Sequence, residues 1–267
     1  MRYFLHLAYS GLNYRGWQRQ ANAVSVQEVI EDGLLKIFKI PVTCMGCGRT
    51  DAMVHASQYF AQVNIPLDWD FDLRFRLNKI LPEDISILDV IPVGEWCNVR
   101  MDATQRTYDY FIHSVKDPFL HGKSSYYPFE SLDLESVKKA TGLLLVYNDF
   151  KSFCICPDNH NTTICNVSSA TWFVDKTGNR LRFQISANRF IRGMIRILVS
   201  KLLQVGEGKL SVDQFEEMFV TERMSSPFFL AYPQGLYLSR VTYPYIDIAP
   251  GTDFMEMMQG VGVWNEL

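Results

Sequence analysis

The residues best placed to do chemistry lie in Cys44–Ala56, which reads Cys-Met-Gly-Cys-Gly-Arg-Thr-Asp-Ala-Met-Val-His-Ala. A polar knot of Arg49, Thr50 and Asp51 separates two apolar runs, 40–44 and 53–63, and Gly46 and Gly48 punctuate the approach. That pattern predicts strand, tight loop, strand, with one carboxylate presented at the tip. Taken alone, the stretch favours a plainer role for Asp51, that of a turn residue bonding its own backbone. Its chemistry therefore depends on what the rest of the chain supplies.

Two other groups of side chains invite a chemical reading. The six cysteines are Cys44, Cys47, Cys97, Cys154, Cys156 and Cys165. Cys44 and Cys47 have redox spacing, but Gly48-Arg49-Thr50-Asp51 follows where a helix should. An extended strand also points residues three apart to opposite faces, so this pair needs a turn between them to meet. Cys154, Cys156, His160 and Cys165 match no familiar zinc spacing, and buried reduced thiols are expected. The second group is basic: Arg180 to Lys201 holds six basic residues and no acidic one. At helical spacing Phe190, Met194, Ile195, Leu198 and Leu202 form one face, and Arg189, Arg192 and Arg196 a stripe on the opposite one. With no acidic partner at i±4, the stripe reads as a phosphate-binding face as readily as a solvated one. Arg15, Arg19, Arg74, Arg76, Lys79, Arg100 and Arg106 would extend it, interleaved with Tyr14, Trp17 and Tyr108 as stacking surfaces.

The elements that must position these groups follow one order, used twice. Arg2–Tyr9 is a strand, and Ser25 caps a helix with Val26, Val29, Ile30, Leu34 and Ile37 in phase; Glu28 is expected to complete a capping box. Strands at 42–47 and 54–63 flank the Asp51 loop, a helix lies within 66–79, and 85–90 is a strand. The second round places strands at 107–115, 167–174, 180–185 and 235–241, with helices at 134–145, 189–203 and 212–219. The expected class is α+β, two ferredoxin-like β-α-β-β-α-β halves whose antiparallel sheets carry helices on one face and form a central cleft. The boundaries fall at 1–104 and 105–245, with a tail of 246–267. A chain of 267 residues, 48% hydrophobic and 21% charged, suits such a pair of packed units. The net charge of −3 sets up no global field for nucleic acid, so any such surface is local. No run of about 18 apolar residues and no signal pattern is found, so a cytoplasmic protein without a membrane partner is expected.

Six motifs in order then carry a resemblance across about Tyr3 to Tyr243. Gly48-Arg49-Thr50-Asp51-Ala52 with Val54-His55-Ala56 resembles the catalytic loop of the TruA family of tRNA pseudouridine synthases. Gly16-Trp17-Gln18-Arg19-Gln20 with Val26-Gln27 is similar to that family's N-terminal segment, and Leu81-Pro82-Glu83-Asp84-Ile85 to its mid-domain turn. Arg100, Ala103 and Arg106-Thr107-Tyr108-Asp109-Tyr110 resemble its tyrosine motif. Asn188 to Arg196 is similar to its late arginine helix, and Gly235-Leu236-Tyr237-Leu238 to its last strand.

The resemblance implies an isomerase that converts uridine to pseudouridine in the anticodon stem-loop of tRNA at positions 38–40, without a cofactor or metal. Asp51 would be the catalytic carboxylate, attacking C1′ or starting elimination at the ribose. Arg196 would keep that carboxylate charged, Tyr108 would stack on the uracil, and Arg49 would hold the target nucleotide out of the stack. A homodimer bridged by tRNA is implied in the same way. The family usually has glycine where Met53 stands, and Gly193, Ile197 and Ser200 also depart from its pattern. Two rivals are a tRNA-binding protein of this fold that has lost catalysis, with Met53 in its favour, and a thiol or zinc protein built on Cys44 to Cys47.

Overall fold

The computed structural model describes residues 1–222, 229–249 and 264–267. In chain order the elements are β1 (Arg2–Tyr9), α1 (Val26–Phe38), β2 (Cys44–Gly46), β3 (His55–Asn64), α2 (Leu73–Ile80), β4 (Ile85–Val93), β5 (Gln105–His113), β6 (Ser125–Tyr126), α3 (Leu134–Gly142), β7 (Val167–Asp175), β8 (Arg180–Ala187), α4 (Met194–Gly206), α5 (Val212–Thr221), β9 (Leu236–Thr242) and β10 (Trp264–Glu266). The class is α+β with mostly antiparallel pairing. The chain divides into two compact units, one of Met1–Arg106 with residues 237–249, the other of Thr107–Leu236 with residues 264–267. Most of the 246–267 tail lies outside the described residues.

In the first unit β1 pairs antiparallel with both β3 and β4, and β2 pairs antiparallel with β3 through Cys44↔Val63 to Gly46↔Ala61. The order β4-β1-β3-β2 follows. The other half of that β3 edge takes β9 in parallel register, His55↔Tyr237 and Ala56↔Leu238, where antiparallel strands alone were expected. A strand arriving from so far along the chain needs no hairpin, so its direction is free. Helix α1 forms because Val26, Ile30, Leu34 and Phe38 recur at helical spacing and are buried against the sheet. Burying each is worth roughly 1.5–3 kcal/mol. Ser25 Oγ accepts from Glu28 N at 3.3 Å, only half of the expected capping box, because the Glu28 carboxylate turns to Arg19 at 3.6 Å instead. Lys39 ends the helix at φ 60, its N–H returning to Leu35 O at 2.9 Å.

Every residue of β3 from His55 to Val63 is buried, so both faces of this strand are covered. Trp17 stacks on Tyr59 on the helix side, centroids 4.2 Å apart. On the other side His6 stacks on Phe60 at 4.8 Å and Tyr243 meets Phe60 edge-on at 5.3 Å. Tyr243 in turn donates to Val99 O at 2.5 Å, and Gln58 bonds both Val241 N and Ile248 O at 2.9 Å. The expectation of helices on one face thus omitted a second cover made by residues 97–103 and 241–248.

The second unit runs β10-β7-β8-β5, with β6 added to β5 in parallel register. A buried ion pair, Arg182 Nε to Asp109 Oδ1 at 2.7 Å, ties β8 to β5. Phe150, Phe153, Phe215 and Phe219 form an aromatic core beneath α5. Helix α4 starts at Met194, five residues later than its periodicity predicts. Gly193 sits at φ +75 and interrupts the helical backbone, while Asn188 is spent on Asn166, Oδ1 accepting from Asn166 N at 2.8 Å. Arg189, Phe190 and Arg192 therefore precede the helix and form no stripe on it; Arg196 is its third residue.

Candidate active site

The backbone on both sides of Asp51 is tied down within the first unit. Cys47 N donates to Phe60 O at 2.9 Å, and Arg106 Nη2 donates to Cys47 O at 2.9 Å. Tyr59 OH donates to Gly48 O at 2.6 Å, and Trp17 N to Thr50 O at 3.2 Å. Thr50 Oγ1 shares a hydrogen bond of 2.8 Å with Tyr9 OH, and Val54 N closes the turn onto Asp51 O at 3.2 Å. Gly16 makes this approach feasible: at φ +93, a Cβ there would lie 2.5 Å from Thr50 O. The N-terminal loop is itself held by Asp84, whose Oδ1 accepts from Tyr14 OH at 2.5 Å and whose Oδ2 accepts from Asn13 at 3.0 Å. Tyr14 O then receives Met53 N at 3.2 Å. Asp51 is half-buried in this frame, its carboxylate carried on a loop with little freedom to move.

Met53 adopts φ +63, the left-handed conformation that glycine takes most readily, so here a residue with a side chain holds a backbone form suited to glycine. Arg49 is exposed and, among the described residues, has no ion-pair partner. Beside it a cavity of about 350 Å³ is lined by Trp17, Gln18, Met45, Gly48, Arg49 and Arg100, among others. That size sits at the low end of small-ligand pockets, roughly 300–1,000 Å³.

Tyr108 and Arg196 belong to the second unit. Tyr108 is carried by β5, half-buried, and meets the edge of Phe190 with centroids 5.1 Å apart at 82°. Arg196 Nε donates to Ala231 O at 2.7 Å. The wider basic face of the sequence reading divides by partner. Arg19 is engaged by Glu31 at 2.9 Å, Glu28 at 3.6 Å and Asp32 at 3.9 Å. Arg106 donates to the carbonyls of Cys47, Ala103 and Arg100 and is a loop anchor. Arg76 lies over the Phe71 ring at 3.6 Å. Arg15, Arg49, Arg74, Lys79, Arg100 and Arg192 are exposed with no ion pair among the described residues.

All six cysteines are free thiols. Burial pushes Cys44 well above the usual thiol range and Cys47 up to about 11, so both stay protonated and make poor redox nucleophiles. Burial also pushes Cys154 and Cys165 up to about 11. Among the described residues no group of three or more His, Cys, Asp or Glu is arranged to hold a metal ion. None of the described helices is long and apolar enough to cross a membrane. Sequence reasoning missed the loop's anchors, Tyr9, Tyr14, Tyr59 and Asp84. An isolated aromatic in a strand pattern carries no mark of where its hydroxyl ends.

A two-unit α+β chain presenting one carboxylate on a braced loop, with exposed arginines beside it, has the make-up of an enzyme acting on a phosphate-bearing substrate. The family model described as tRNA pseudouridine synthase matches residues 145–244. The tRNA pseudouridine synthase A of Porphyromonas gingivalis is 39% identical over 246 residues, 91% of this chain and 97% of that protein. Those of Parabacteroides distasonis and Bacteroides fragilis are 38% and 39% identical over 249 and 246 residues, each 91% of this chain and 96% of the relative. The chain belongs to the tRNA pseudouridine synthase family.

Proposed function

We propose that Asp51 is the catalytic carboxylate of a tRNA uridine isomerase whose targets lie in the anticodon stem-loop, at positions 38–40. Membership of the family makes the chain an isomerase converting uridine in tRNA to pseudouridine. In that reaction the bond from uracil N1 to C1′ breaks, the base turns, and a bond from C5 to C1′ forms; the proton leaves C5 and N1 gains one. Asp51 acts at the ribose, by attack on C1′ or by initiating elimination. Arg196 supplies the positive charge that keeps the carboxylate ionised, Tyr108 stacks on the uracil, and Arg49 holds the nucleotide outside the stack. Residues 1–104 and 105–245 act as two ferredoxin-like halves, and the protein works as a cytoplasmic homodimer on tRNA.

The observation that carries this reading is the bracing of the Asp51 loop, in which Gly48, Thr50, Met53 and Val54 all spend backbone groups on fixed partners. A turn residue serving only its own loop has no need of such a frame. The left-handed φ of Met53, the form a glycine would take there, also weighs against reading Met53 as a sign of lost catalysis. The test is release of tritium from C5-labelled uridine in unmodified tRNA. Wild type should release it, and Asp51→Asn should abolish release while tRNA affinity stays within a few-fold. Turnover near wild type in that variant would remove Asp51 from the role.

A further inference from the structure

Arg196 is held by a segment that the reaction as described does not use. Its Nε donates to Ala231 O at 2.7 Å, and Ala231 N donates back to Arg196 O at 3.0 Å, locking residue 231 against the first turn of α4. The next residue, Tyr232, spends both its backbone groups on tyrosine hydroxyls. Its N–H donates to Tyr127 OH at 3.0 Å, and its carbonyl accepts from Tyr110 OH at 2.7 Å. The two hydroxyls are 3.3 Å apart, and the Tyr127 and Tyr232 rings pack at 5.1 Å. Tyr110 OH thus lies within hydrogen-bond distance of Tyr232 O, Ser125 Oγ and Tyr127 OH, and Ser125 Oγ reaches Tyr232 O as well, at 3.3 Å. The result is a closed circuit of hydroxyls around one residue: Tyr127 OH holds Tyr232 N–H, Tyr110 OH holds Tyr232 O, and the two hydroxyls meet each other. Ser125 Oγ, 2.9 Å from Tyr110 OH, braces the circuit from β6. Burial pushes both phenols above their usual range, so each keeps its proton.

We propose that Tyr127, with Tyr110, is a positioning residue for the isomerisation: the hydroxyl circuit fixes Ala231–Tyr232, and that segment fixes the Arg196 guanidinium. The proposal rests on the reading that Arg196 acts in the chemical step. Tyr127 is the member to remove. It is half-buried where Tyr110 is fully so, and the exposed Tyr232 lets its freed N–H reach water. Loosening a charged group by even about 1 Å costs rate steeply while binding made elsewhere is untouched.

Single-turnover tritium release, tRNA affinity and urea midpoints would be measured for wild type, Tyr127→Phe, Arg196→Lys and the double variant, with Tyr126→Phe as control. Tyr126 stacks on His113 and takes no part in the circuit. Tyr127→Phe should lose about ten-fold in rate with affinity within two-fold, and Tyr126→Phe nothing. The double variant should be no slower than Arg196→Lys alone, because both changes remove one function. A wild-type rate in Tyr127→Phe, or losses that multiply in the double variant, would overturn the proposal. Should Tyr127→Phe fail to fold, Tyr110→Phe carries the same test through the other member of the circuit. Absence of release from wild type removes the functional reading and this proposal with it; release by wild type with an indifferent Tyr127→Phe removes the positioning role alone.

Discussion

Two residues carry costs that the sequence only half reveals. Met53 stands at φ +63, a conformation that costs a side-chain-bearing residue roughly 1–2 kcal/mol. Glycine would remove that strain but loses about 0.5–1 kcal/mol through greater freedom in the unfolded chain. Met53→Gly should therefore leave the urea midpoint nearly unchanged and turnover equal to or above wild type. Loss of activity with the midpoint intact would mean that the Met53 side chain touches substrate. His6 is the second. It is 3% exposed on the covered face of β1, and burial depresses it to about 4, outweighing the opposite pull of Asp89 across the β1–β4 pairing. Because the unfolded chain takes up this proton near pH 6.5 and the folded one only near 4, the unfolded state binds more protons in between. Stability is full above about pH 6.5 and falls as pH drops toward 4, by on the order of 1–3 kcal/mol. Urea midpoints from pH 7 to 4 should fall less steeply in His6→Gln; identical slopes would show that other groups set the dependence. The sequence marks His6 only as a strand residue. It stacks on Phe60, which Tyr243 meets from far along the chain, and no local pattern announces a cover supplied from that distance.

At the scale of elements, periodicity located nearly every helix and strand but misplaced the start of the one that bears Arg196. Phe190 falls in phase with Met194 and Leu198, so a hydrophobic pattern runs smoothly through a backbone that is not helical. What breaks the helix is the turn at Gly193 and the diversion of Asn188 to Asn166, neither of which is a matter of spacing. The fold order was legible because hydrophobic period is local; the parallel partners β9 and β6 were not, because pairing between distant strands leaves no mark in either. The candidates Asp51, Arg49, Tyr108 and Arg196 come from family motifs, whereas the hydroxyls that brace the Asp51 loop and the segment beside Arg196 carry no such mark. Gly193→Ala tests this account of α4. At φ +75 a Cβ is strained, and it would meet Ile155 Cδ1 at 2.6 Å, so stability should drop by about 1–3 kcal/mol. Arg196, three residues on, should shift with it and turnover should fall. An unchanged or raised urea midpoint would mean that the helix can run through residue 193 as the periodicity suggests.

Across the whole molecule the net charge is −3, so attraction to a polyanion must come locally, from cations that carboxylates do not already neutralise. The number of arginines is a poor guide to that. Arg19 faces three carboxylates and Arg182 is buried against Asp109, while Arg106 is spent on three carbonyls. Arg49, Arg100 and Arg192 have no such partner among the described residues and are exposed. A cation already paired releases few counterions on meeting a phosphate; an unpaired one releases nearly a full equivalent. Arg100→Ala should thus weaken binding of all tRNAs alike and lower the magnitude of the slope of log K against log salt by about 0.7–0.9. Arg192→Ala should do the same, since outside the helix it has no geometric tie to Arg196. Arg19→Ala should leave the slope unchanged, although removing Arg19 strips three carboxylates of their counter-charge. Filter binding of unmodified tRNA from 50 to 300 mM salt separates the cases. Equal slope changes for Arg19→Ala and Arg100→Ala would mean that pairing within the protein does not decide which guanidiniums meet the RNA.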